Sequence, residues 1–400
     1  MKILQLCTKI PYPPKDGGAA GIYVFSNAFA KLGHNVDILA VNPPKHFVNE
    51  HEYSMISKNI HIHPIAINTN PHLVSALKNM FFSVASYHVQ RFINKDFVNK
   101  LQDLILKTSP DIVQIEGIYL ASYIPVIRKL TKAPIVLREH NVEHLLWNEI
   151  AIKETNVLKK LYLNIQVKRL KKFEIQQLSN VDAVTFVTKE DEQVMISLCK
   201  KIKTLVVPFG VTLYDERTFE KPNVQSIYFL GALDWIPNQE ALLWFTKEVW
   251  PALLAKFPDM SFHIAGRNAP SNLVDVLNNV MGVVYHGEVN DANEFAKQYN
   301  ITVVPLFTGS GVRVKIIEAM EQGKVVIAST KALIGIPAIE DEHVLIADDV
   351  AAYIAHIGAL RASSEAVLAT GSKARQFIHE YYDIQKIATR LIKYYNDIDN

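Results

Sequence analysis

The chain has 400 residues, 49% of them hydrophobic and 20% charged, so it can bury a large core and is too apolar to be disordered. Its 42 Lys and Arg against 40 Asp and Glu leave a net charge of +2, which argues against a dedicated nucleic-acid binder. Its two cysteines, Cys7 and Cys199, lie far apart and supply neither a disulfide framework nor a CxxC metal pair, as expected in a reducing cytoplasm.

A single core rarely grows past about 250–300 residues, so two domains are expected. The opening MKILQLCTKIPYPP is too short and too soon broken by prolines for a signal-peptide core. No stretch approaches the ~20 apolar residues needed to cross a bilayer. The chain is therefore expected in the cytoplasm, with room for peripheral contact at the inner face of the membrane.

In chain order, strands are predicted at 2–6, 35–41, 60–65, 111–117, 134–139 and 182–187. Helices are predicted between them at Ala19–Leu32, Ser86–Lys107 and Val157–Leu178. The apolar runs are nearly continuous, as in parallel strands covered on both faces by crossover helices. A polar, turn-rich stretch at 208–225 reads as a linker. A second alternating series follows, with strands at 226–231, 261–266, 282–287, 301–306, 324–329 and 343–347, and with helices clearest at Gln239–Phe257 and Arg313–Gln322. The reading is an α/β protein of two doubly wound, Rossmann-like halves, 1–207 and 226–380, with a final helix at about 381–400 packing back on the first half. Such sheets bind ligands beyond the carboxyl ends of their strands, and two of them would share a cleft.

The motifs fall just after strands. PPKDGGAAGIYVF places Gly17 and Gly18 before a helix. They read either as a plain turn or as a mobile loop over a phosphate group. A dinucleotide fingerprint fits poorly, because ten residues separate the first strand from the glycines and no acid ends the second strand. This disfavours a nicotinamide-dependent oxidoreductase.

In REHNVEHLLW, HNVEH resembles an inverted zinc-peptidase motif, but His140 ends a strand, so His140 and His144 are not expected on one helical face. No metal site is expected. His140 reads either as a loop cap or as a hydrogen-bonding group for a bound sugar. The Lys-rich segment 153–172 reads as a solvated helix, with a basic membrane-facing helix as the alternative.

The strongest motif is LFTGSGVRVKIIEAMEQG. Gly309 and Gly311 allow left-handed backbone and a close approach to a ligand, and a helix opens near Val312. Arg313 and Lys315 place two cations in its first turn, against the helix dipole, which an anionic ligand such as a diphosphate would offset. Glu318 is either a partner of Lys315 at i,i+3 or a ligand contact.

Taken with FLGALDWIPNQEALLWF, FHIAGRNAP and YHGEV, these segments make the chain resemble glycosyltransferase family four, the group one transferases of GT-B fold, over nearly its whole length. That resemblance implies an α/β GT-B architecture of two Rossmann-like parallel-sheet domains facing across a cleft. It implies a retaining, metal-independent transfer from a UDP- or GDP-linked sugar to a glycan or lipid-linked acceptor, with the nucleotide sugar as co-substrate and no cofactor. Glu318 would bind the ribose hydroxyls and Arg313 and Lys315 the diphosphate. His140 would contact the sugar, Gly17 and Gly18 the donor phosphate or the acceptor, and the backbone of Gly287, Glu288 and Val289 the base. Two departures stand out. Ser310 occupies the place of the first of the family's paired glutamates, and Gly231 is followed by ALDWIPN where many members carry Arg or Lys. Ser310 also motivates an alternative, a protein of the same fold that binds a nucleotide sugar without transferring it.

Overall fold

The computed structural model describes residues 1–14, 17–53, 56–199, 202–213, 222–309 and 311–398. Two compact units emerge, one of Met1–Gly210 with Ile384–Asn400 and one of Val211–Asp383. Part of the stretch read as a linker, 214–221, lies outside the described residues, as does Ser310.

The first unit is built on seven strands: β1 (Lys2–Cys7), β2 (Asn35–Asn42), β3 (Ile60–Ala66), β4 (Ile112–Glu116), β5 (Ile135–Glu139), β6 (Ala183–Phe186) and β7 (Thr204–Val206). All pair in parallel, in the order β3-β2-β1-β4-β5-β6-β7. Period-two alternation splits the core between the two faces. Leu4, Leu6, Val113, Ile115, Leu137 and Phe186 go to one side. Ile3, Cys7, Val36, Ile38, Ile112 and Val136 go to the other, against Phe25 and Phe29 of helix Gly17–Lys31. The C-terminal helix Ile384–Asp397 completes that second layer through Ile387, Leu391 and Tyr395.

One predicted helix is broken. In place of a continuous 86–107, a single turn at Tyr87–Gln90 is followed by helix Lys95–Thr108. The cause is Asn94, whose side chain accepts from the N–H groups of Asp96 and Phe97 and so restarts the helix. Tyr123 fixes the gap, its hydroxyl donating to Phe92 O and accepting from Asn94 N.

The second unit carries β8 (Ser226–Leu230), β9 (Ser261–Ala265), β10 (Val283–Tyr285), β11 (Ile301–Val304), β12 (Val325–Ala328) and β13 (Leu345–Ile346). Their order is β10-β9-β8-β11-β12-β13, again all parallel. Both sheets therefore reverse direction beside their first strand, between β1 and β4 and between β8 and β11. In doubly wound folds such a reversal opens a crevice at the carboxyl edge.

Candidate active site

At the reversal in the second sheet, β8 ends and the chain turns through Gly231 into helix Ile236–Trp244. β11 leads through Leu306–Gly309 to helix Val314–Glu321, two residues later than the sequence suggests, with Arg313 as its N-cap. Gly309 and Gly311 have φ of +89° and +80°, the left-handed backbone expected of them.

Lys315 sits between these loops. Its ammonium donates to Asn238 Oδ1 at 2.9 Å and lies 4.2 Å from the centre of the Phe229 ring. Asn238 is buried and braced by its own amide, which donates to Ala232 O at 2.7 Å. Gly231 makes the room: a Cβ there would stand 2.6 Å from Lys315 Nζ and 3.0 Å from Asn238 Nδ2. Gly266, after β9, is required for the same reason, since its Cβ would fall 1.9 Å from Gly231 O. Two bare backbones thus cross where the ammonium emerges.

Desolvation pushes the Lys315 pKa down to about 7; Arg313 adds to the fall and Glu318 opposes it. Arg313 is buried, packs its guanidinium 5.1 Å from the Trp235 ring centre and donates to Thr308 O at 3.3 Å. Glu318 is open to solvent, and the protein around it still raises its carboxyl above the ordinary range, Lys315 pulling it down and Glu321 pushing it up. Water on the open side screens that rise. Arg313 and Glu318 thus both lie close enough to act electrostatically on the Lys315 ammonium. Gly287 has φ of +70° and its carbonyl accepts from Gly266 N at 2.8 Å, while Glu288 is exposed and Val289 half-buried.

In the first unit, Gly17 and Gly18 do not form a loop: they are the first residues of helix Gly17–Lys31. The buried Ala19, Ile22, Ser26 and Phe29, three and four residues apart, carry the helix back to these glycines. His140 follows β5 immediately and is half-buried. Its Nε2 lies 2.6 Å from Glu116 Oε2 at the end of β4. Glu116 is fully buried; burial alone would raise its pKa, but Arg138, His140 and Gln114 together hold it below the usual carboxylate value. An ionised Glu116 accepts, so Nε2–H donates to it and Nδ1 is left unprotonated in the neutral ring. Sequence reasoning missed Glu116. The available signal was a carboxylate at the carboxyl end of the strand in DIVQIEG.

His140 and His144 do not cooperate. His144 lies in helix Glu143–Lys153 and pairs through Nδ1 with Glu174, 2.5 Å away, while His140 pairs with Glu116. Among the described residues no group of three or more His, Cys, Asp or Glu is placed to hold a metal ion.

Comparison with known proteins identifies the family and the fold. The family described as Glycosyltransferase Family 4 matches residues 15–214, and that described as Glycosyl transferases group 1 matches 224–363. A relative from Klebsiella pneumoniae, an uncharacterized 44.6 kDa protein in the cps region, is 22% identical over 403 residues, covering 98% of this chain and 99% of its own. Among solved structures, a sucrose-phosphate synthase from Thermosynechococcus elongatus aligns with a TM-score of 0.71 at 17% identity, over 100% of this chain and 99% of that one. TarM of S. aureus, in a complex that includes UDP, gives 0.69 at 11% identity over 99% and 100%. HepE of Anabaena, with UDP and glucose, gives 0.65 at 11% identity over 99% and 100%. At these identities the likeness is one of fold, and the fold is GT-B.

Proposed function

The chain belongs to the group 1 glycosyl transferases of family 4 and is a glycosyltransferase by family and fold; on that premise we propose that it moves a sugar from a UDP- or GDP-linked donor to a glycan or lipid-linked acceptor, with retention and without a metal, in the cytoplasm. The observation that carries this reading is the Lys315 ammonium at the strand reversal, desolvated, held by Asn238 and given space by Gly231. The cps-region relative supports cell-surface polysaccharide as the product class.

In this reading Lys315 and Arg313 receive the diphosphate beside the positive end of helix Val314–Glu321. Gly309 and Gly311 let that loop approach, and Glu318 accepts from the ribose hydroxyls. Gly287, Glu288 and Val289 meet the base. His140, oriented by Glu116, offers Nδ1 to the transferred sugar, and the helix start at Gly17 and Gly18 faces the donor phosphate or the acceptor.

As the glycosidic bond breaks, positive charge spreads over the sugar ring and negative charge gathers on the leaving diphosphate. Preorganised cations stabilise that developing charge, and each is worth about 3–4 kcal/mol. A lysine that is half-neutral near pH 7 becomes fully protonated as the diphosphate arrives, so its charge is largest when the anion needs it. The departing phosphate oxygen then takes the proton of the acceptor hydroxyl on the same face, which preserves the anomeric configuration.

The test is release of UDP or GDP from a panel of nucleotide sugars with glycan and lipid-linked acceptors, in the presence of a chelator. Anomeric couplings in the product report its configuration. Release that depends on the acceptor and resists the chelator is expected. Donors that stabilise the protein thermally but are never turned over would assign it instead to non-catalytic binding.

A further inference from the structure

A row of polar side chains crosses the apolar core on one face of the first sheet. Gln114 and Glu116 alternate with Val113 and Ile115 along β4, so they point to the side covered by helices Gly17–Lys31 and Ile384–Asp397. Arg138, beside Glu116 in register, joins them from β5. All three are at most 2% exposed. Burying polar groups costs stability, and this row is not tuned for stability, since Arg138 Nε and Nη2 find no hydrogen-bond partner.

The row joins His140 to the far end of the chain. His140 Nε2 donates to Glu116 Oε2 at 2.6 Å, and Arg138 donates to the same oxygen at 3.3 Å. The other oxygen, Oε1, accepts from the Gln114 amide. Gln114 Oε1 in turn accepts from the hydroxyl of Tyr395, a buried residue of helix Ile384–Asp397 that lies 281 positions further on.

The chemistry admits one arrangement. An ionised carboxylate only accepts, so the Gln114 nitrogen must face it and the Gln114 oxygen must face a donor. Tyr395 is that donor. We propose that Tyr395 is a positioning residue for His140, acting through Gln114 and Glu116 to hold the imidazole in one tautomer and one orientation. Without the hydroxyl, the buried Gln114 oxygen loses its donor, the amide rotates to find another, and the Glu116 carboxylate loses its fixed place. The proposal rests on the transfer reading only where turnover is measured, because the tautomer is read without substrate.

Two-bond 1H–15N spectra of the full chain labelled with 15N-histidine, recorded at alkaline pH, test it. The His140 signals are assigned by their absence in H140A. The wild type should show a protonated Nε2 and a bare Nδ1. Y395F and Q114M should each draw the two nitrogen shifts towards one another, as the freed ring samples both tautomers. Y394F, from the same helix, should leave them in place, because the Tyr394 hydroxyl has no partner to lose. In nucleoside diphosphate release, Y395F should lower kcat about tenfold, short of the ~100-fold of a full ångström's misplacement. Y395F/Q114M should lose no more than Q114M alone, since the two act along one chain of bonds. If one of the two variants does not fold, the other decides. Unchanged His140 shifts, equal shifts in Y394F, or losses that multiply in the double variant would overturn the proposal. Shifts that move in a protein that turns over no nucleotide sugar would sink the transfer reading and leave the positioning standing.

Discussion

Replacing Gly231 by Ala tests the diphosphate site without touching a charge. The added Cβ would lie 2.6 Å from Lys315 Nζ, against roughly 3.5–4.0 Å for an ordinary non-bonded contact. The ammonium must retreat by about 1 Å, and Asn238 Nδ2, 3.0 Å from the same Cβ, blocks any adjustment on that side. The 2.9 Å bond from Lys315 to Asn238 is then lost, and a hydrogen bond to a charged group contributes about 1.5–3 kcal/mol. Gly231 has no left-handed backbone to forbid alanine, so the substitution regains about 0.4–1 kcal/mol of chain entropy. The net destabilisation is about 1–2 kcal/mol, a fall of a few degrees in Tm.

Catalysis should suffer far more, because misplacing a positioned group by about 1 Å costs on the order of 100-fold. The assay is kcat/KM for nucleoside diphosphate release, with Gly358→Ala as control, since its Cβ would meet only Phe257 Cζ at 3.4 Å. If Gly231→Ala kept kcat/KM within about twofold of the control, Lys315 would not be the diphosphate contact.

Affinity for UDP or GDP should fall as pH rises through about 7, where Lys315 loses its proton, and Lys315→Met should flatten that part of the profile by titration calorimetry. The same shift has the opposite sign for the empty fold. An unfolded lysine stays protonated to about 10.4, so Lys315's contribution to stability rises with pH between about 7 and 10.4. Arg313→Ala should lower kcat by about 100- to 1,000-fold with an unchanged circular dichroism spectrum, and near-normal turnover would remove Arg313 from the site. Glu116→Gln should cost about 3–5 kcal/mol in urea unfolding, because Arg138 is left buried without its carboxylate. It should also lower kcat by freeing the His140 ring, so an unaltered kcat would show that Glu116 does not orient His140.

The strand pattern was legible because burial on both faces of a parallel sheet forces short, nearly continuous apolar runs. Twelve such segments, from KILQL to HVLIA, lie where β1–β6 and β8–β13 form. The strand Thr204–Val206 was missed because its three residues are only half-buried and carry little pattern. Helix 86–107 was read as continuous because its apolar spacing runs on across Asn94. There the Asn94 side chain caps a new helix, and Tyr123, distant in sequence, fixes the gap.

Of the site, the sequence by itself determined the glycine-turned loop before Val314 and the two cations beside it, because a left-handed backbone and a charge against the helix dipole are local demands. Tertiary structure alone decided which groups those cations meet. Lys315 reaches Asn238, 77 residues away in the chain, and His140 reaches Glu116 across neighbouring strands. Such pairs depend on parallel strand register and on where two bare glycine backbones cross, and neither leaves a periodic trace in the residue order.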